Sequence, residues 1–173
     1  MAAPTTTREK AVKATISLGS IPLDVYLLPD GSYKLYVESV TAAIDKPSND
    51  LLDFLQGKSS QALPYKNRRV LQEPMIEVEG YGGSIKPIPV ELATAYWFHR
   101  ALKNNAIAQA LVQASLMETI ERRADVAFEC KRTEVEYNQK FGDRLEEALA
   151  YNREEIEDRR LIGDSLYFPR GIN

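Results

Sequence analysis

The chain has 173 residues, 44% of them hydrophobic and 27% charged, with a formal net charge of −3. These proportions exclude disordered and collagen-like classes, and the length bounds the answer at one domain, or one domain with an appendage. One cysteine, Cys130, and one histidine, His99, exclude an internal disulfide and a cysteine-based metal cluster, and argue against zinc or His-dependent triad chemistry.

Charge becomes informative once split by position. Residues 1–105 carry 12 Lys+Arg against 11 Asp+Glu, and residues 106–173 carry 10 against 14. Nucleic-acid modules are usually more basic, which argues against a large phosphate-tracking surface but leaves room for a small basic patch on a dimer. No run approaches the roughly 18 apolar residues of a membrane span. The opening MAAPTTTREK has no apolar signal-peptide core, so the expected setting is the cytoplasm, with no membrane partner.

Residues 1–13 read as a flexible N-terminus. Lys13 to Leu18 and Leu23 to Leu28 are β-rich runs separated by Gly19-Ser20-Ile21-Pro22, and Tyr33 to Val37 alternates as a third strand beyond the Pro29-Asp30-Gly31 turn. This predicts a small β-meander. Val37, Val40, Ala43 and Ile44 then mark a short helix that must stop before Pro47. Ser48 or Asn49 caps a second helix with Leu51, Leu52, Phe54 and Leu55 on its buried side and Gly57 as its stop. The spacing suits a helix-turn-helix, with Lys46, Ser48 and Asn49 at the corner. The alternative is an ordinary helical hairpin packed on a sheet.

Lys66, Asn67, Arg68 and Arg69, behind Tyr65, form the densest basic cluster of the first half, suited to phosphate or to a solvated loop. Ile76 and Val78, with Ile85 and Ile88, flank Gly80-Tyr81-Gly82-Gly83-Ser84 as a β-hairpin with Tyr81 at its tip and Lys86 just past it. The glycines lack the Gly-Lys-Ser/Thr ending of a phosphate loop. A hairpin after a helix-turn-helix is how a winged variant is built.

Val90 to Phe128 is the longest apolar-periodic run. Leu92, Ala95, Tyr96, Phe98, Ala101 and Leu102 predict one helix, and Ile107 through Ile120 a second, with Lys103-Asn104-Asn105 as the turn between them. His99 reads as structural, Cys130 as a thiol without chemistry, and Arg122 and Arg123 as partners of Glu118 and Glu121. From Asp125 the chain is mostly charged, with Phe141, Leu145, Ala148, Leu149 and Ile156 as a narrow seam for a second helix and Gly142 as a break or kink.

The pieces DVYLLPDGSYKLYVESVTAAIDKPSNDLLDFL, IEVEGYGGSIKPI and VELATAYWFHRALKNNAIAQALVQASL, in that order, resemble the Bro-type N-terminal domain of phage antirepressors and related viral or prophage regulators. The resemblance covers roughly residues 14–120. It rests on element order, on the aromatic strand Tyr33, Leu35 and Tyr36, and on the paired Gly82 and Gly83. It implies a DNA-binding regulatory protein. The second helix departs from the family in carrying Asp50 and Asp53 where members are more basic.

The expected fold is α+β: a small β-meander and hairpin with short helices over residues 14–120, then a charged helical arm and apolar tail over residues 121–173. The expected function is a dimeric, antirepressor-type regulator reading double-stranded DNA through Lys46, Ser48, Asn49, Lys66, Asn67, Arg68, Arg69, Tyr81 and Lys86. Dimerisation is assigned to Phe141, Leu145, Ala148, Leu149 and Ile156, and no catalytic residue, metal or cofactor is expected. The alternative is a non-enzymatic interaction module, an assembly factor or inhibitor that binds another regulatory protein through the acidic arm. A third reading takes VAFECK as the acidic-x-Lys strand of a metal-dependent nuclease, with Glu129 and Lys131 as its working pair.

Overall fold

The first two strands, β1 (Val12–Leu18) and β2 (Ile21–Leu27), pair antiparallel from Val12 opposite Leu27 to Leu18 opposite Ile21. The two-residue turn Gly19-Ser20 closes them, with Gly19 at φ +63°, where only glycine is unstrained. Because the turn is that tight, Ile21 and Pro22 belong to β2 and not to the connection expected from the sequence. Pro22 is tolerated because β3 (Tyr33–Tyr36) pairs only with Val25, Tyr26 and Leu27, so no ladder bond is lost there. The computed structural model describes residues 10–66 and 75–167, with side chains through Ile162.

The fold is α+β. The Pro29-Asp30-Gly31 turn forms as expected: Gly31 N–H donates to Leu28 O at 3.0 Å, Ser32 N–H to Asp30 Oδ1 at 2.8 Å, and Gly31 has φ +84°. Helix α1 (Val37–Ala42) follows, then a reversal through Asp45 at φ +58°, then α2 (Asn49–Gln56). Ser48 precedes α2 without making a side-chain cap bond, so the capping read from the sequence does not occur. Next come α3 (Leu63–Lys66) and a hairpin of β4 (Ile76–Glu77) and β5 (Ser84–Ile85). Ile88 does not extend that hairpin. It lies on β6 (Pro87–Pro89), opposite Leu35, and completes a four-stranded sheet of order β1-β2-β3-β6.

Helix α4 (Val90–Leu102) supplies the largest buried groups of this region. Trp97 Nε1 donates to Val40 O at 2.8 Å, and the Tyr96 ring meets Phe54 edge-on with centroids 5.7 Å apart. His99 lies against Phe54 at 5.0 Å, in keeping with a structural role. A smaller cluster of Ala11, Tyr26, Val78 and Ile85 ties the β4/β5 hairpin to the sheet. Phe98 and Leu102, expected on the buried side of α4, are 46% and 57% exposed.

The chain divides into two units, Met1–His99 and Arg100–Asn173, a boundary inside α4 and not near residue 120. In the second unit Asn104 adopts φ +61° and Asn105 caps α5 (Ala106–Ala127) by accepting from Ala108 N–H at 2.8 Å, the expected asparagine turn. Helix α5 ends in a Schellman motif: Cys130 N–H reaches back to Asp125 O at 2.8 Å and Glu129 takes φ +54°. Thr133 and Glu136 then form a capping box, with Thr133 N–H donating to Glu136 Oε2 at 2.7 Å and Glu136 N–H to Thr133 Oγ1 at 3.3 Å. Helix α6 (Glu134–Tyr167) folds back on α5 and runs unbroken through Gly142. Packing of the adjacent Phe141 and Leu145 outweighs the glycine penalty of about 1 kcal/mol. Among the described residues, no helix is long and apolar enough to cross a membrane.

Candidate functional site

The first unit carries a groove of about 400 Å³ where the start of α1, the start of α2 and the β4/β5 hairpin converge. Its floor is apolar, made by Val37, Leu51, Leu52, Met75 and Ile85. Its polar groups are Tyr36, Glu38, Ser48, Asn49, Ser84 and Lys86. Ser48, Asn49 and Lys86, nearly forty residues apart in sequence, therefore share one concavity, with Ser48 and Asn49 exposed. The Lys46-Pro47 corner makes this possible. Lys46 N–H donates to Thr41 O at 3.0 Å and Asp50 N–H to Pro47 O at 3.0 Å, which turns α2 so that its first residues face the hairpin.

The acid at the start of α2 is turned away from this surface. Tyr96 donates its hydroxyl to Asp50 Oδ2 at 2.5 Å, drawing that carboxylate toward α4. Burial, and then the neighbouring Glu38 carboxylate, raise the Tyr36 phenol above its usual value of 10.0, so at the groove it is a hydrogen-bond donor at neutral pH. Glu38 and Lys86 give the lining one charge of each sign.

Of the other residues expected to contact nucleic acid, Lys46 is half-buried at the corner, Lys66 is exposed at the end of α3, and Tyr81 is 65% exposed between β4 and β5. Asn67, Arg68 and Arg69 lie outside the described residues. Leu52, expected in the core, is 45% exposed and forms groove floor instead. An eight-residue helix with adjacent leucines can bury only one fully, and Leu51 is the one buried, at 1% exposure. Met75 and Glu38 were not singled out from the sequence. The pairing of Ile76 with Ile85 brings Met75 over the groove, and nothing local to Met75 announces this.

The residues assigned to dimerisation lie on α6, which packs against α5. Phe141 and Leu145 are 2% and 5% exposed, on the stretch of α6 that Tyr137, Lys140 and Arg144 tie to Asp125 and Glu121 of α5. Ala148, Leu149 and Ile156 are half-buried. Around them runs a charge network. Arg122 forks onto Glu134 with two 2.8 Å bonds, reaches Glu118 at 2.6 Å and stacks 3.9 Å over the Tyr137 ring. Buried Asp125 accepts from Arg132 at 2.6 Å and from the Tyr137 hydroxyl at 2.7 Å. Arg144 and Lys140 both hold Glu121, and these bonds bring its carboxyl down to about 2.

Glu129 and Lys131 occupy the exposed turn between α5 and α6, not a strand, so the nuclease-strand geometry is absent. Among the described residues, no three His, Cys, Asp or Glu side chains are grouped to hold a metal ion. Comparison with protein-family models, with curated proteins and with solved structures finds no match.

Proposed function

We propose that the Met1–His99 unit is a DNA-binding module of a regulatory protein of antirepressor type. The observation that carries the reading is the convergence of Ser48, Asn49 and Lys86 on one groove at a helix-turn-helix corner, with Asp50 withdrawn onto Tyr96. In this reading Asn49 and Ser48 hydrogen-bond to base edges, asparagine being matched to adenine. Lys86 and Lys46 contact phosphates on either side, and Lys66 extends the basic margin. Three lysines per chain give weak affinity, which two linked copies would raise.

Fluorescence anisotropy on duplex DNA tests it. Affinity should fall with salt at a log–log slope of roughly −0.9 per phosphate contacted. Lys86→Ala should lower that slope, and Asn49→Ala should weaken binding while leaving the slope alone. Binding indifferent to salt and to both substitutions would refute the reading.

The apolar floor favours a second reading, a non-enzymatic protein-interaction module in which the groove takes an apolar segment of another regulatory protein. It predicts no duplex affinity and a partner lost on Leu52→Glu.

A further inference from the structure

Three donors on the groove wall have no acceptor among the described residues. The Ser48 hydroxyl makes no cap bond to α2, the Asn49 amide is exposed, and the exposed Lys86 ammonium forms no ion pair. Ser84 is not one of them, since its hydroxyl reaches the Met75 sulfur at 3.8 Å. The one acid of the lining, Glu38, neighbours the Tyr36 phenol, which can donate to it. Beside the three donors lies the apolar floor. A positive charge and two neutral donors next to apolar surface complement a molecule with one anionic end and an apolar body.

Size and charge narrow that molecule. The groove's volume of about 400 Å³ falls within the roughly 300–1,000 Å³ of small-molecule sites. Eleven residues line it, whereas a stable protein contact takes about 20–30 on each side, so the groove by itself is scaled to a small molecule. Lys86 and Glu38 leave the lining neutral. One negative charge at Lys86 is therefore matched, while the second charge of a phosphate monoester would face Glu38 without a cation. A carboxylate carries one charge on two oxygens, which can accept from Lys86 and from Ser48 or Asn49 together. Met75 is 62% exposed, and its unbranched thioether can follow apolar bodies of different outline.

We propose that the groove binds a small apolar monocarboxylic acid, its carboxylate at Lys86, Ser48 and Asn49 and its hydrocarbon on Leu52 and Met75. These donors are the ones assigned to DNA above, so an occupied groove cannot present them to a duplex, and the acid acts as a ligand that releases the protein from DNA. That regulatory consequence rests on the DNA reading. Binding of the acid itself does not.

Octanoate, with octanol as its uncharged counterpart, is the probe, and the readout is the Met75 methyl resonance of the full chain carrying methyl-labelled methionine. Met75→Leu assigns the signal, and Met117 on α5 is the internal reference. At neutral pH octanoate should shift the Met75 signal saturably and leave Met117 unmoved. Lys86→Met keeps the aliphatic stem and removes the charge; it should raise the octanoate dissociation constant roughly tenfold and leave that of octanol unchanged. Leu52→Glu, at a partly exposed floor position, should abolish octanoate binding, and it decides the matter if the first variant fails to fold. Octanoate should also weaken wild-type binding to duplex DNA in the anisotropy assay. No saturable Met75 shift up to the solubility limit of octanoate, or folded variants that bind it as the wild type does, would overturn the site. A chain that binds duplex but shows no such shift sinks this site alone, whereas one that shows the shift and has no duplex affinity keeps the site and sinks the DNA reading.

Discussion

The Met1–His99 unit buries Leu35, Ile88, Leu92 and Tyr96 almost completely and anchors Trp97 to Val40, so apolar area and shape fit hold it. The α5/α6 pair buries a short row, Leu111, Ala114, Phe141 and Leu145, and surrounds it with charge centred on Glu121, Arg122 and Asp125. The first kind of interior responds to lost volume, the second to pH and to the loss of a partner. Individual exposed ion pairs contribute only about 0–1 kcal/mol, so the second unit depends on several acting as a network.

The sharpest way to break the contrast is at Tyr96. Tyr96→Ala should destabilise the first unit by about 3–5 kcal/mol through the cavity it leaves, read by denaturant unfolding followed at Trp97, the sole tryptophan. Asp125→Ala comes next. It removes the 2.6 Å partner of Arg132, leaving it only Glu121 at 3.8 Å, strands the Tyr137 hydroxyl and should cost about 2–3 kcal/mol, seen in the thermal loss of helical ellipticity rather than in tryptophan emission.

Acid supplies a graded test. The Arg144 and Lys140 bonds hold the folded-state pKa of Glu121 at about 2, against an ordinary 4.5, so the native state favours the ionised carboxylate. Its contribution is fully present above pH 4.5 and is lost as the pH falls toward 2. Helical ellipticity should therefore decline across that window and Arg144→Gln should flatten the decline. An unchanged acid profile in that variant would remove Glu121 from the account. The smallest effect expected is a gain: Glu129→Gly relieves a left-handed residue at the α5 terminus and should stabilise the second unit by about 0.5–1 kcal/mol in a thermal melt.

Much of the α+β fold was legible because its signals are local. Pro29-Asp30-Gly31, the Asn104-Asn105 turn, the stop before Pro47 and the Gly80–Ser84 reversal each act within a few residues, and each forms. What escaped was set by tertiary competition. Leu52 and Phe98 satisfy a helical period yet face outward, because Leu51 and Trp97 occupy the available core. Phe141 and Leu145 read as a seam for another chain because sequence cannot distinguish a partner helix from the chain's own preceding one. The break that creates that preceding helix was nonetheless written in Thr133-x-x-Glu136, a capping box hidden among good helix formers. At the groove, Ser48, Asn49 and Lys86 were recognisable as polar groups at a corner and beyond a hairpin tip. Met75 was not, since only the β4/β5 register places it.

The pairing of β6 with β3 has a kinetic consequence. Leu35 meets Ile88 across an intervening segment of about 50 residues, a closure whose entropic cost grows slowly with length but must be met before any contact rewards it. The α5/α6 turn spans only a few residues and closes early, whereas sheet completion waits on the α1–α3 segment and the β4/β5 hairpin. A chain shortened to end before Pro87 would therefore leave the Leu35 strand bare on the side away from β2, and such a fragment should associate through that margin instead of folding alone.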